Sequence, residues 1–308
     1  MARPKPLDWL MLLALTVMWG SAFLMTKVAL ESLPPPLVVA ARMAVASAVL
    51  LALGLLWLRR LPTGRRTWMF FVLIAFFGNA LPFSLISWGQ DYIDSGLAGI
   101  LMAAMPLFTL SLAHFFVPGE RMTLFRALGF MLGFIGVVVL MGPGSLPGLA
   151  AVDKTFVPML AVLAGAASYA VSAILSRLRP EGDAFGAALA TTLLATLMVV
   201  PAGFYNGELS STLQGNTLAL AAVAGLGIFS TAMAAVMYFR LVTRAGPGFV
   251  SQLNYLIPVW AVAIGAVFLG EQPQLNHLYA LALILGGILV TQLQWTKLRR
   301  TAESTEIP

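Results

Sequence analysis

A chain of 308 residues with 60% apolar side chains, only 10% charged ones and a mean hydropathy of +0.92 cannot clothe a soluble fold in polar surface, so a polytopic membrane protein is indicated. The net charge of +6 does not point to nucleic acid, because the basic residues sit in short connectors between apolar runs, where they act as topology signals. The absence of cysteine excludes disulfides, thiolate metal sites and a cysteine nucleophile.

Ten apolar segments follow one another, at roughly residues 8–30, 36–58, 68–90, 95–117, 124–142, 155–176, 184–205, 216–239, 247–269 and 275–296. Each has about the 17–25 residues that a helix needs to cross the hydrocarbon. Arg3 and Lys5 before the first run resemble a secretory signal, but the run continues to about Leu30, longer than a signal core, and reads as a retained span.

The fourth and ninth segments are copies. Residues 95–120 read SGLAGILMAAMPLFTLSLAHFFVPGE and residues 247–271 read PGFVSQLNYLIPVWAVAIGAVFLGE; Pro258 follows Pro106 by 152 residues and Glu271 follows Glu120 by 151. Trp19 and Lys27 match Tyr169 and Arg177 at a spacing of 150, and Gly136 matches Gly287 at 151. Five spans per copy is an odd number, so the second copy enters the membrane from the opposite side. The expected fold is an all-α polytopic membrane protein of ten transmembrane helices in two inverted five-helix repeats, residues 1–142 and 155–296, joined by a linker at 143–154 and followed by a cytoplasmic tail at 297–308.

Fifteen of the eighteen Lys and Arg residues fall on one side of this arrangement, all but Lys27, Arg42 and Lys154, which puts both termini in the cytoplasm. Lys27 and Arg42 are the two cations expected inside the membrane, where a charge needs a partner or water. All twelve Asp and Glu residues lie in connectors, tails or span ends. Proton-coupled carriers keep an ionisable group at depth, so this distribution favours facilitated diffusion. The two histidines, His114 and His277, stand in different halves without metal-ligand spacing, and no hydrolytic or redox constellation is present, so neither an enzyme nor a cofactor is expected.

A proline within a span frees a carbonyl that lipid cannot satisfy, so the spans of Pro106 and Pro258 are expected to face the interior and to hinge there. Ser251, Asn254 and Tyr255 share the Pro258 face, and Met102 and Met105 flank Pro106. Asn79, Phe83 and Ser87 recur every four residues with Trp88 adjacent, as do Ser230 and Tyr238 with Ala234 between them. Together with Trp19, Tyr169 and Arg42 these form the predicted substrate-binding set, an aromatic and Met-rich cavity wall with few polar groups. Lys27, Glu120 and Glu271 are the predicted gates, the two acids at opposite membrane surfaces. Gly129, Gly133 and Gly136, then Ala282, Gly286 and Gly287, form small-residue stripes suited to close helix packing within the monomer or between copies.

These residues resemble the drug/metabolite transporter superfamily, specifically its ten-span EamA-type permeases. The resemblance is carried by WGSAF at 19–23 with Lys27, by Arg42, SGLAGIL, Pro106 and Glu120, and by Tyr238, Pro258, Glu271 and the pair Gly286 and Gly287. Within that superfamily the chain is similar to YddG-type amino-acid exporters in length, span count and apolar interior. The resemblance implies a bacterial inner-membrane exporter or facilitator of small, partly apolar metabolites, amino acids including aromatic ones foremost, working by alternating access as a monomer or homodimer in the lipid bilayer. Two rival readings stay open: a drug or cationic-metabolite efflux pump, and a lipid-handling membrane protein.

Overall fold

The computed structural model describes residues 5–56, 63–117, 120, 122–141, 154–180, 182–204 and 216–305. Arg3, Arg59, Arg60, Arg121 and, apart from Lys154, the linker at 143–154 lie outside them. Regular structure among the described residues is helical. Eight helices are long and apolar enough to cross a bilayer: α1 (Pro6–Leu30), α2 (Pro35–Leu56), α3 (Arg65–Tyr92), α4 (Ser95–Phe116), α5 (Leu124–Met141), α6 (Phe156–Leu178), α7 (Ala184–Phe204) and α8 (Thr217–Ala245). Two further helices, α9 (Leu253–Leu269) and α10 (Leu275–Thr305), carry shorter apolar stretches. Large apolar side chains such as Leu55, Phe115 and Val267 lie open on the outside, as a lipid-facing surface requires.

Local chemistry sets the helix limits. Prolines open α1 and α2, where their missing N–H costs nothing. The Asn216 side chain accepts from the amides of Leu218 and Ala219 at the start of α8, while its Nδ2 donates to Ser32 Oγ of the α1–α2 turn at 2.6 Å. Gly246 ends α8 at φ 83° and Gly270 ends α9 at φ 67°, left-handed backbone that suits glycine. The eighth helix thus runs to Ala245, beyond its expected end near residue 239.

Two helices contain a π-helical stretch at corresponding places, Phe76–Ala80 in α3 and Leu226–Met233 in α8. In α3 the cause is Pro82, which lacks the N–H that would reach back four residues to Gly78. In α8 the Thr231 hydroxyl donates to the Leu226 carbonyl at 2.9 Å, five residues back. Helix α4 is broken at Ala103 and Ala104, so that Pro106 opens a second helical piece. Helix α9 behaves differently: Pro258 lies within a continuous helix, and the break falls earlier, at Ser251 and Gln252, behind the one-turn helix Pro247–Val250. The predicted hinges are therefore not equivalent, since a buried proline inside a helix forfeits one bond without separating the two halves.

The α5–α10 pair packs at glycine contact. A Cβ on Gly129 would strike the Gly287 carbonyl, and one on Gly136 would come within 2.9 Å of the Ala280 carbonyl. The partner face of α10 is thus Ala280, Ile284, Gly287 and Thr291; of the expected stripe of Ala282, Gly286 and Gly287, Gly287 lies on this face, Gly286 borders it beside Leu132, and Ala282 is exposed. The largest apolar cluster joins α3, α4, α5, α6 and α10 through Ile86, Leu101, Val137, Val162 and Ile284.

Candidate functional site

Arg42 lies about two turns from the start of α2 and is 8% exposed. Its Nε donates to Thr231 Oγ1 at 2.9 Å, and its guanidinium lies 3.8 Å over the centre of the Phe83 ring. Phe83 in turn meets Tyr169 edge to face, 6.2 Å between ring centres. Four helices therefore converge here: α2 supplies the cation, α3 and α6 the aromatic rings, and the π-helical stretch of α8 the hydroxyl. Because the Thr231 hydroxyl donates to its own helix, it is fixed as an acceptor toward Arg42. Arg42, Phe83 and Tyr169 were expected in the site. Thr231 was not, and its one sequence signal is its place beside Ser230 in the segment matching Asn79 and Ala80.

Trp19, Ser230 and Tyr238 form an adjoining knot. Trp19 Nε1 donates to the Ser230 carbonyl at 3.1 Å, Ser230 Oγ donates to the Met18 carbonyl at 2.7 Å, and the Trp19 and Tyr238 rings are 5.4 Å apart. The Trp19 and Ser230 polar groups are spent on holding α1 against α8. Ser230→Ala is expected to lower stability by about 1 kcal/mol, read as an earlier thermal midpoint of the purified protein, because one neutral hydrogen bond is lost.

The remaining predicted residues divide. Ser87 is buried one turn beyond Phe83, and Asn79 is half-buried in the π-helical stretch of α3. Trp88 is 38% exposed and packs on Tyr92, not on Phe83: adjacent residues on a helix point about 100° apart. Met102 and Met105 flank the break in α4, both half-buried. Met102, Tyr169 and Tyr255 all border the largest apolar cluster, which brings α4, α6 and α9 together, and the Tyr255 hydroxyl is buried without a partner among the described residues. Asn254 is half-buried beside it, and Ser251 sits in the turn before α9. Around Arg42, Phe83, Ser230 and Thr231 are buried and Tyr169 is half-buried.

The predicted gates hold helix ends. Lys27 Nζ donates to the carbonyls of Gln90 and Ile93, at 2.8 and 3.0 Å, and so caps the C-terminus of α3 with positive charge. The Glu271 carboxylate accepts the amides of Ser95 and Gly96, at 2.7 and 2.9 Å, and caps the N-terminus of α4 with negative charge. One turn, Ile93 and Asp94, is thereby clamped from both sides. Glu271 reaches it because left-handed Gly270 reverses the chain and Gly265 leaves room for the returning carboxylate. Glu120, beyond the other end of α4, pairs instead with Arg177 and, at 3.9 Å, with Arg126. Asp8 ties α1 to Arg244 of α8 at 2.8 Å, a link that the sequence did not disclose.

The sequence profile of the EamA-like transporter family matches this chain twice, over residues 8–142 and 157–293. The uncharacterized inner membrane transporter YedA of Escherichia coli K12 is 28% identical over 287 residues, 92% of this chain and 89% of that protein. The uncharacterized transporter YvbV of Bacillus subtilis 168 is 24% identical over 286 residues, 92% and 91% of the two chains, and a transporter of Archaeoglobus fulgidus is 26% identical over 290 residues, 92% and 97%. A crystal structure at 22% identity superposes with a TM-score of 0.60 over 96% of this chain and 99% of that one, a likeness of fold. With its run of apolar helices the molecule is a multi-pass inner-membrane transporter and not an enzyme. By the double match across both halves, the chain belongs to the EamA-like transporter family.

Proposed function

We propose that this transporter exports or facilitates small, partly apolar metabolites, amino acids including aromatic ones foremost, after the manner of YddG-type exporters. It works by alternating access between two inverted five-helix repeats, residues 1–142 and 155–296, in a ten-span frame whose termini face the cytoplasm. Arg42, Phe83, Tyr169 and Thr231 form the heart of the substrate site, and the helices of Met102 and Tyr255 bound it.

The observation that carries this reading is the unlike state of two matched ends. By sequence Lys27 corresponds to Arg177 and Glu271 to Glu120. At the Glu271 end both charges cap helix termini; at the Glu120 end the two charges hold each other at partly exposed positions. Inverted repeats alternate by exchanging such states. In the other access state Arg177 takes the last carbonyls of α8, and Glu120 takes the amide of Gly248, which corresponds to Gly96. Ser95 is matched by Pro247, which has no N–H, so that clamp has one backbone donor fewer. The resting preference is closure at the Glu271 end, the periplasmic side by the distribution of Lys and Arg.

Purified protein in liposomes is expected to carry labelled phenylalanine and leucine down their gradients at rates unchanged by an imposed pH gradient. Folded protein that carries neither overturns the substrate reading. A cationic-drug pump is disfavoured by the cation at the centre of the site, and a lipid-handling protein would move labelled lipid instead of solute in the same vesicles.

A further inference from the structure

We propose that the Arg42 guanidinium is the receptor for a carboxylate on the transported solute, so that the class carried is monocarboxylates with an apolar or aromatic body and the α-amino group is dispensable. This rests on the transporter reading above and narrows it.

One N–H of Arg42 is used by Thr231 and one face of the guanidinium by Phe83. Its two terminal nitrogens, with four N–H groups, have no acceptor among the described residues, and no described carboxylate pairs with it. A buried cation of this kind is costly unless an anion joins it, and a ring face compensates only in part. Thr231 and Phe83 together fix the plane of the guanidinium and leave its outer edge free, a parallel pair of N–H donors that fits the two oxygens of a carboxylate. The cation thereby becomes the fixed half of an ion pair whose other half arrives with the solute.

The ammonium group of an amino acid finds no equivalent. By sequence all twelve carboxylates fall in connectors, tails or span ends, and among the described ones Glu120, Glu271 and Asp8 are engaged with Arg177, with the amides of α4 and with Arg244. Around Arg42 stand Phe83, Tyr169 and Thr231, uncharged groups that supply no counter-charge to an amine. Phosphate shares the anion chemistry, yet a dianion asks for more than one cation, and Lys27 is committed to carbonyls at the end of α3.

The test compares four probes of one body on the purified protein: phenylalanine, 3-phenylpropanoate, phenylalaninamide and 2-phenylethylamine, with inorganic phosphate as a fifth. Equilibrium binding and competition against phenylalanine flux are the readouts. Phenylalanine and 3-phenylpropanoate are expected to bind within about ten-fold of each other, and the two cations and phosphate not to compete. Arg42→Gln is expected to weaken both acids at least ten-fold, with Arg42→Lys intermediate because it keeps the charge and loses the fork. Should Arg42→Gln fail to fold, the probe series on the unaltered protein decides alone. Binding of phenylalanine but not of 3-phenylpropanoate, or competition by the amide equal to that of the acid, overturns the carboxylate proposal and leaves amino-acid transport standing. Displacement of phenylalanine by phosphate overturns the monocarboxylate class. Absence of amino-acid flux by folded protein overturns both readings.

Discussion

Glu271→Ala is expected to destabilise the protein by about 3 kcal/mol or more and to open the end of the molecule that it closes. The carboxylate accepts two backbone amides at the first turn of α4, and hydrogen bonds to a charged group contribute about 1.5–3 kcal/mol each. Alanine leaves both donors unmatched beside the buried Ser95 side chain, whose own hydroxyl has no partner among the described residues. The chain has no cysteine, so a single Ala98→Cys reports on this end cleanly: Ala98 is fully buried, and a membrane-impermeant maleimide should label it slowly in the parent and several-fold faster with Glu271→Ala. Glu120→Ala is the control. Its ion pair with Arg177 is half-exposed, and exposed pairs are worth less than about 1 kcal/mol. Equal losses of thermal stability in the two variants would show that Glu271 is no more than a surface carboxylate and would remove the clamp.

Gly129→Leu should abolish a monodisperse folded species, with a cost above about 3 kcal/mol, whereas Gly286→Ala should be tolerated. At Gly129 the added side chain meets main chain, the Gly287 carbonyl and the Thr291 amide, which cannot step aside unless α5 and α10 separate. At Gly286 the nearest atom is the tip of Leu132, 3.6 Å away, and alanine in a helix gains about 0.5–1 kcal/mol over glycine. Size-exclusion profiles and thermal midpoints in detergent separate the two. A folded Gly129→Leu with the parent's stability would mean that α5 and α10 do not touch at this point.

The all-helical membrane class, the approximate limits of the helices and the internal duplication were legible in the amino-acid sequence. These are properties of composition and spacing: a run of apolar residues can satisfy its backbone in lipid as a helix, and a repeated pattern of Pro, Glu and Gly is visible without coordinates. It also supplied Arg42, Phe83 and Tyr169 as candidates, because a cation and aromatic rings within spans stand out against an apolar background. Helical spacing was less reliable close to irregular backbone. The π-helical stretch of α3 shifts Asn79 relative to Phe83 and Ser87, and Trp88 turns outward to Tyr92 because it neighbours Ser87 about 100° around a regular helix.

The partners were decided by the tertiary structure alone. Lys27 and Glu271 lie far apart in sequence and cap two different helices at one turn, and their acceptors and donors are main-chain groups that every residue possesses, so no side-chain pattern marks them. Thr231 became the anchor of Arg42 through a local change of helical pitch that composition does not encode. Pro106 and Pro258, at matched positions, differ because the break in α4 falls directly before the first, at Ala103 and Ala104, whereas the break before the second lies six residues earlier, at Ser251 and Gln252. What the chain spells out is which segments enter the membrane; which main-chain groups remain free at their ends, and which charges come to cover them, depends on how the helices cross.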